Sequence, residues 1–85
     1  MEPNPPAQDE PQVSRVLHLI YPASLAGEPI LYRLIRQFDL TFNLRSAQLG
    51  IDEGWIEIQA TGSAEELERA VHWLAAEGLQ VTFPG

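Results

Sequence analysis

The sequence predicts an α+β sandwich, a four-stranded antiparallel sheet with two helices on one of its faces. Three observations lead there. Two stretches repeat apolar residues at helical spacing and carry helix-boundary signals. Four others have strand length and either alternate or run continuously apolar. The links between them are short, which keeps neighbours in sequence close in space.

The first strand is Val13–Tyr21, ended by Pro22. Leu17, Leu19 and Tyr21 share one face, and Val16, His18 and Ile20 the other. Apolar character at both parities fits a central strand covered at least in part on both sides. Ala23 to Gly27 form a loop, and Glu28-Pro29 opens a helix with proline in the first turn, where its missing N–H costs nothing. Ile30, Leu31, Leu34, Ile35 and Phe38 fall on one helical face, Arg33, Arg36 and Gln37 on the other.

The second strand follows at once. Leu40, Phe42 and Leu44 alternate with Thr41, Asn43 and Arg45, and the alternation weakens over Ser46–Leu49. Gly50 to Gly54 turn the chain into a third strand, Trp55–Thr61, with Ile56, Ile58 and Ala60 opposed to Trp55, Glu57 and Gln59. Ser63-Ala64-Glu65-Glu66 is a capping box, in which serine and Glu66 satisfy each other's orphan backbone donors. Leu67, Ala70, Val71 and Leu74 form the buried stripe of the second helix, and Glu65–Arg69 and Glu68–His72 have the spacing of exposed pairs. Gly78 stands where a left-handed cap belongs, and Leu79, Val81 and Phe83 alternate as the last strand. Two right-handed crossovers then give a β-α-β-β-α-β sandwich of strand order 4-1-3-2, the ferredoxin-like arrangement.

Eighty-five residues make one domain with one core. Residues 1–12 read as a disordered tail, acidic and rich in proline, and 13–85 as the domain. Five basic residues, all arginine, stand against twelve acidic ones, a net charge of −7 that opposes binding to nucleic acid or anionic membrane. The chain has no cysteine, which removes disulfide and thiol chemistry. No apolar run reaches the roughly 20 residues of a membrane span. The N-terminus is unlike a signal peptide, so a cytoplasmic location is expected.

No nucleophile-elbow, metalloprotease, phosphate-loop or dinucleotide pattern occurs, and Ser24, Ser46 and Ser63 have no recognisable base. His18 and His72 fall on different elements, which argues against a shared metal site; Glu57 on the neighbouring strand is the expected partner of His18. Asp52-Glu53 read as a solvated hairpin tip, not a cleft. The expectation is a non-enzymatic protein without metal or cofactor. What remains is the sheet face away from the helices. It is too apolar at Val16, Ile20 and Trp55 for a solvated surface, and Val16, His18, Ile20, Trp55 and Glu57 are candidates for an interface with a second copy or a partner protein. The alternative is a patch covered by the tail or left exposed. Asn43 is disfavoured mid-strand; its amide both donates and accepts, which suits an amino acid or a partner's backbone. Arg45 on the same face can hold a carboxylate. The plainer reading of this pair is an edge strand guarded against aggregation.

Glu28-Pro29, the Leu34-to-Phe38 helix end, Asn43-Leu44, Ser46-Ala47-Gln48, Gly54, Gly62, Trp73-Leu74 and Gly78-Leu79-Gln80-Val81 look like the NIL domain in order and spacing. The chain resembles that family from about Arg15 to Phe83, with Asn43-Leu44-Arg45 at the Asn-Ile-Leu signature. The resemblance implies an ACT-like fold. It also implies a regulatory module that binds methionine or another amino acid near a homodimer interface, as in methionine-import ABC ATPases. It makes Asn43 the strongest ligand candidate and puts Ala23 and Ser24 in the loop bordering the effector site; Arg45, read from the strand pattern, is the candidate beside Asn43. Ala23 stands where the family has glycine, Ser24 where it has an acidic residue, and Arg45 at an apolar position; the turn after Leu49 is shorter. Tyr32-Arg33-Leu34 and the Asn43-to-Gln48 strand look closer to NIL domains fused to two-cluster ferredoxins. With no ATPase segment preceding it, the module is expected to stand alone as a sensor. The alternative is an assembly module docking a redox or membrane complex through its open sheet face.

Overall fold

The structure, a computed structural model, describes residues 11–25, 27–51 and 54–84. Its elements are β1 (Gln12–Tyr21), a 3₁₀ turn (Ala23–Leu25), α1 (Ile30–Gln37), β2 (Thr41–Leu49), β3 (Gly54–Ser63), α2 (Ala64–Glu77) and β4 (Gln80–Thr82). The predicted tail lies outside the described residues except for Pro11 and Gln12, and Gln12 already belongs to β1. The hairpin residues Asp52 and Glu53 lie outside them as well.

The four strands form one antiparallel sheet in the order β2-β3-β1-β4, which counted from the other edge is 4-1-3-2. β1 and β3 pair without interruption from Gln12↔Ser63 to Tyr21↔Gly54. That register puts Leu17 and Leu19 on one face with Ile56, Ile58 and Ala60, and these join Ile30 and Leu34 of α1 and Leu67, Ala70 and Leu74 of α2 in a single core. Both helices therefore cover the same face of the sheet.

α1 is shorter than its apolar periodicity suggests. Pro29 stands at the N-cap rather than in the first turn, and only Ile30 and Leu34 are buried. Ile35, expected in the core, is 52% exposed, and Leu44 of β2 is 61% exposed. An eight-residue helix is little more than two turns. Ile35 is turned about 100° from Leu34 around the helix axis, so it falls off the buried stripe.

α2 begins and ends as its sequence predicts, with one change at the start. The Ser63 hydroxyl accepts the backbone N–H of Glu66 at 3.1 Å. The Glu66 carboxylate does not complete the box; it accepts the backbone N–H of Asp39 at 2.8 Å and the guanidinium of Arg69. The start of α2 is thereby tied to the exit of α1. At the other end Gly78 adopts φ +110°, and the Gly78 and Leu79 amides bond back to Ala75 and Leu74 at 3.1 Å each. This is a Schellman closure, which favours glycine at that position.

The Asp39 amide, and after it Arg69, hold the Glu66 carboxyl below its ordinary value of 4.5. A depressed folded-state value means stability is present above the unfolded value and is lost as pH falls through the folded one. Thermal melts from pH 6 down to about pH 3 should therefore show a Tm decrease on acidification that is shallower in Glu66→Gln. Identical slopes would mean that the Asp39 bond contributes nothing.

Candidate functional site

The open sheet face is built by register. Ile20 opposes Trp55, His18 opposes Glu57 and Val16 opposes Gln59, while β2 adds Gln48, Ser46 and Asn43 to the same rows. The β2–β3 register shifts between Leu44 and Ser46, and Arg45 is the extra residue. This bulge explains the weakened alternation. It moves Ala47 and Leu49 onto the helix-side parity, opposite Ile56 and Gly54. His18 stacks on Trp55 with centroids 4.9 Å apart and planes at 24°. Its Nδ1 lies 3.5 Å from Glu57 Oε1, the partner expected for it, and Arg45 Nε lies 3.8 Å from Glu57 Oε2. One carboxylate thus sits between two basic groups, beside an aromatic pair.

A second feature lies on the other side of the hairpin. The end of β1, the start of α1 and the β2–β3 turn enclose a cavity of about 330 Å³, walled by Tyr21, Ile30, Leu31, Leu49 and Ile56. Gly54, on the lining, passes close to β2: a Cβ there would sit 2.8 Å from the Gln48 carbonyl oxygen. Burial pushes the Tyr21 phenol above its ordinary value of 10.0. Glu28 stands on the lining and receives Arg33 at 3.1 Å. No side chain caps the first turn of α1. Tyr32 and Leu49, which also line the cavity, belong to a wider strip. Five of the six large exposed hydrophobics among the described residues are Tyr32, Ile35, Leu44, Leu49 and Ile51, all on α1, β2 or the turn after it. β2 is an outer strand of the sheet.

The NIL domain family model matches residues 15–82, most of the chain. The chain belongs to the NIL domain family. None of the curated proteins matches it. A NIL domain is a regulatory module.

In this NIL domain the signature residues Asn43 and Arg45 are exposed on β2, on the open-face side. Ala23 and Ser24 are exposed in the 3₁₀ turn beyond the end of β1. Asn43 shares its row with Val16, and from Val16 to Tyr21 alone the strand runs about 16 Å at some 3.3 Å per residue. The structure therefore does not bring the four ligand candidates into one place, whereas it does gather Val16, His18, Ile20, Trp55 and Glu57 on adjoining rows. The cavity was missed by sequence reasoning. Its signal was the apolar Leu49 beyond the bulge, where alternation had been lost. Among the described residues no group of three or more His, Cys, Asp or Glu is placed to hold a metal. No helix among them is long and apolar enough to cross a membrane.

Proposed function

We propose that this chain is a non-enzymatic, cytoplasmic NIL-type regulator of ferredoxin-like, ACT-like architecture. It pairs with a second copy along the α1–β2 edge and holds a small effector, methionine or another amino acid, beside that interface. The observation that carries the reading is the shared position of the apolar cavity and the exposed apolar strip, which have Tyr32 and Leu49 in common. The chemistry suits an amino acid with an apolar side chain. The side chain fills the space between Leu31 and Ile56, the uncapped first turn of α1 attracts the carboxylate, and Glu28 receives the ammonium group. Asn43 and Arg45 stand on the pairing strand itself, on the other face of the sheet.

Thermal-shift measurements with a panel of amino acids test this. An apolar amino acid should raise Tm in the wild type, and Leu31→Arg should abolish the shift. If no amino acid stabilises the wild type, the effector reading is wrong. If the shift survives Leu31→Arg and is lost in Asn43→Ala, the site is on the open face instead.

A second reading has its own observation. The His18–Trp55 stack with half-buried Val16 and Ile20 makes an apolar centre with a charged rim, as in protein interfaces. That face supports docking of a partner protein, which Trp55→Ala should abolish.

A further inference from the structure

The helix layer and the sheet layer of this domain do not end together. β4 pairs with β1 only from His18 to Ile20, and Pro84 follows two residues after the strand. Among the described residues, β1 has a strand neighbour from Val13 to Leu17 on the β3 side alone. Between this bare edge and the first half of α2 lies a groove of about 460 Å³, in the space a longer fourth strand would fill. Val13, Leu67, Val71 and Phe83 give it an apolar lining, and Glu65 and Glu68 of α2 stand along its wall. Neither carboxylate has a hydrogen bond or ion pair among the described residues. The cation on the opposite wall, Arg15, is placed over the Phe83 ring, 4.9 Å from its centroid.

We propose that this groove takes an extended basic segment of another protein, added to the sheet as a strand beside Val13–Val16. The bare edge of β1 supplies backbone donors and acceptors for a ladder, the general basis of strand addition. Every second residue of the incoming strand faces α2. One such residue packs against Leu67 and Val71, and a lysine or arginine two positions away reaches Glu65 or Glu68. The charge selects the occupant. A net charge of −7 draws a basic segment from a distance, and the two carboxylates hold it in place. The chain's own N-terminal residues carry Glu2, Asp9 and Glu10, the wrong sign for this wall. The inference rests on the β1–α2 groove and is independent of the effector cavity and of the α1–β2 edge.

The test uses the full chain and a short blocked peptide with lysine, valine and lysine at alternate positions and threonine between them. Fluorescence anisotropy should show saturable binding that weakens with salt. A matched peptide with glutamate for lysine should not bind. The double variant Glu65→Lys, Glu68→Lys should lose about tenfold in affinity for the lysine peptide, as expected for two exposed charge pairs, and should prefer the glutamate peptide. Amide exchange at Val13–Val16 should slow on binding. The milder Glu65→Gln, Glu68→Gln pair repeats the test should the charge reversal disturb α2. Absence of saturable binding, equal binding of both peptides, or protection that appears on β2 or on the open face would overturn the proposal.

Discussion

Leu34→Ala is expected to lower the unfolding free energy by about 3 kcal/mol, within the range for emptying a fully buried leucine site. Leu34 is 0% exposed, and with Ile30 it is one of only two buried side chains on α1. A helix of eight residues has no independent stability in water, since nucleation outweighs the few hydrogen bonds it gains. Its persistence therefore depends on those two contacts with the sheet. Domains of this size have about 5 kcal/mol in total, so the substitution removes more than half. The adjacent position supplies the control. Ile35→Ala, at a residue 52% exposed, should cost about 0.5 kcal/mol or less in the monomer. Urea melts of the two variants measure both. Equal costs would mean that α1 is held by something other than its buried stripe.

The contrast between Leu34 and Ile35 also marks how far the sequence could be read. Apolar spacing reports that a helix is amphipathic, but it cannot tell a side chain covered by the sheet from one waiting for another surface. Ile35 and Leu44 carried the same signal as true core residues. The borders of α2 were legible because Ser63 and Gly78 act on backbone groups within a few residues of themselves. The partner of Glu66 was not, because Asp39 lies 27 positions away and only the tertiary fold brings it near. The five open-face residues followed from strand order and parity alone. The cavity did not: three separate segments build it, and it carries no distinctive chemical group that would announce it in sequence. The bulge at Arg45 hid the helix-side placement of Leu49 in the same way.

The largest effect on assembly is expected from the double variant Ile35→Lys, Leu44→Lys. Both side chains are exposed in the single chain, at 52% and 61%, and neither lines the apolar cavity. Loss of pairing can therefore be separated from loss of ligand. Large apolar side chains exposed on α1, β2 and the turn after it are unfavourable in water, and covering them with the same residues of a second copy removes that surface from both chains at once. Burying one leucine-sized side chain contributes about 1.5–3 kcal/mol, so a charge at two such positions should raise the dimer dissociation constant by about a hundredfold or more. β2 also offers its outer backbone edge for pairing, which lysines on an edge strand are well suited to block. Sedimentation velocity of the wild type and of this double variant, across a range of concentrations, measures this pairing. A wild-type dimer and a folded, monomeric variant are expected. A wild type that stays monomeric at the highest concentration, or a variant that pairs as well as the wild type, would contradict the proposed pairing.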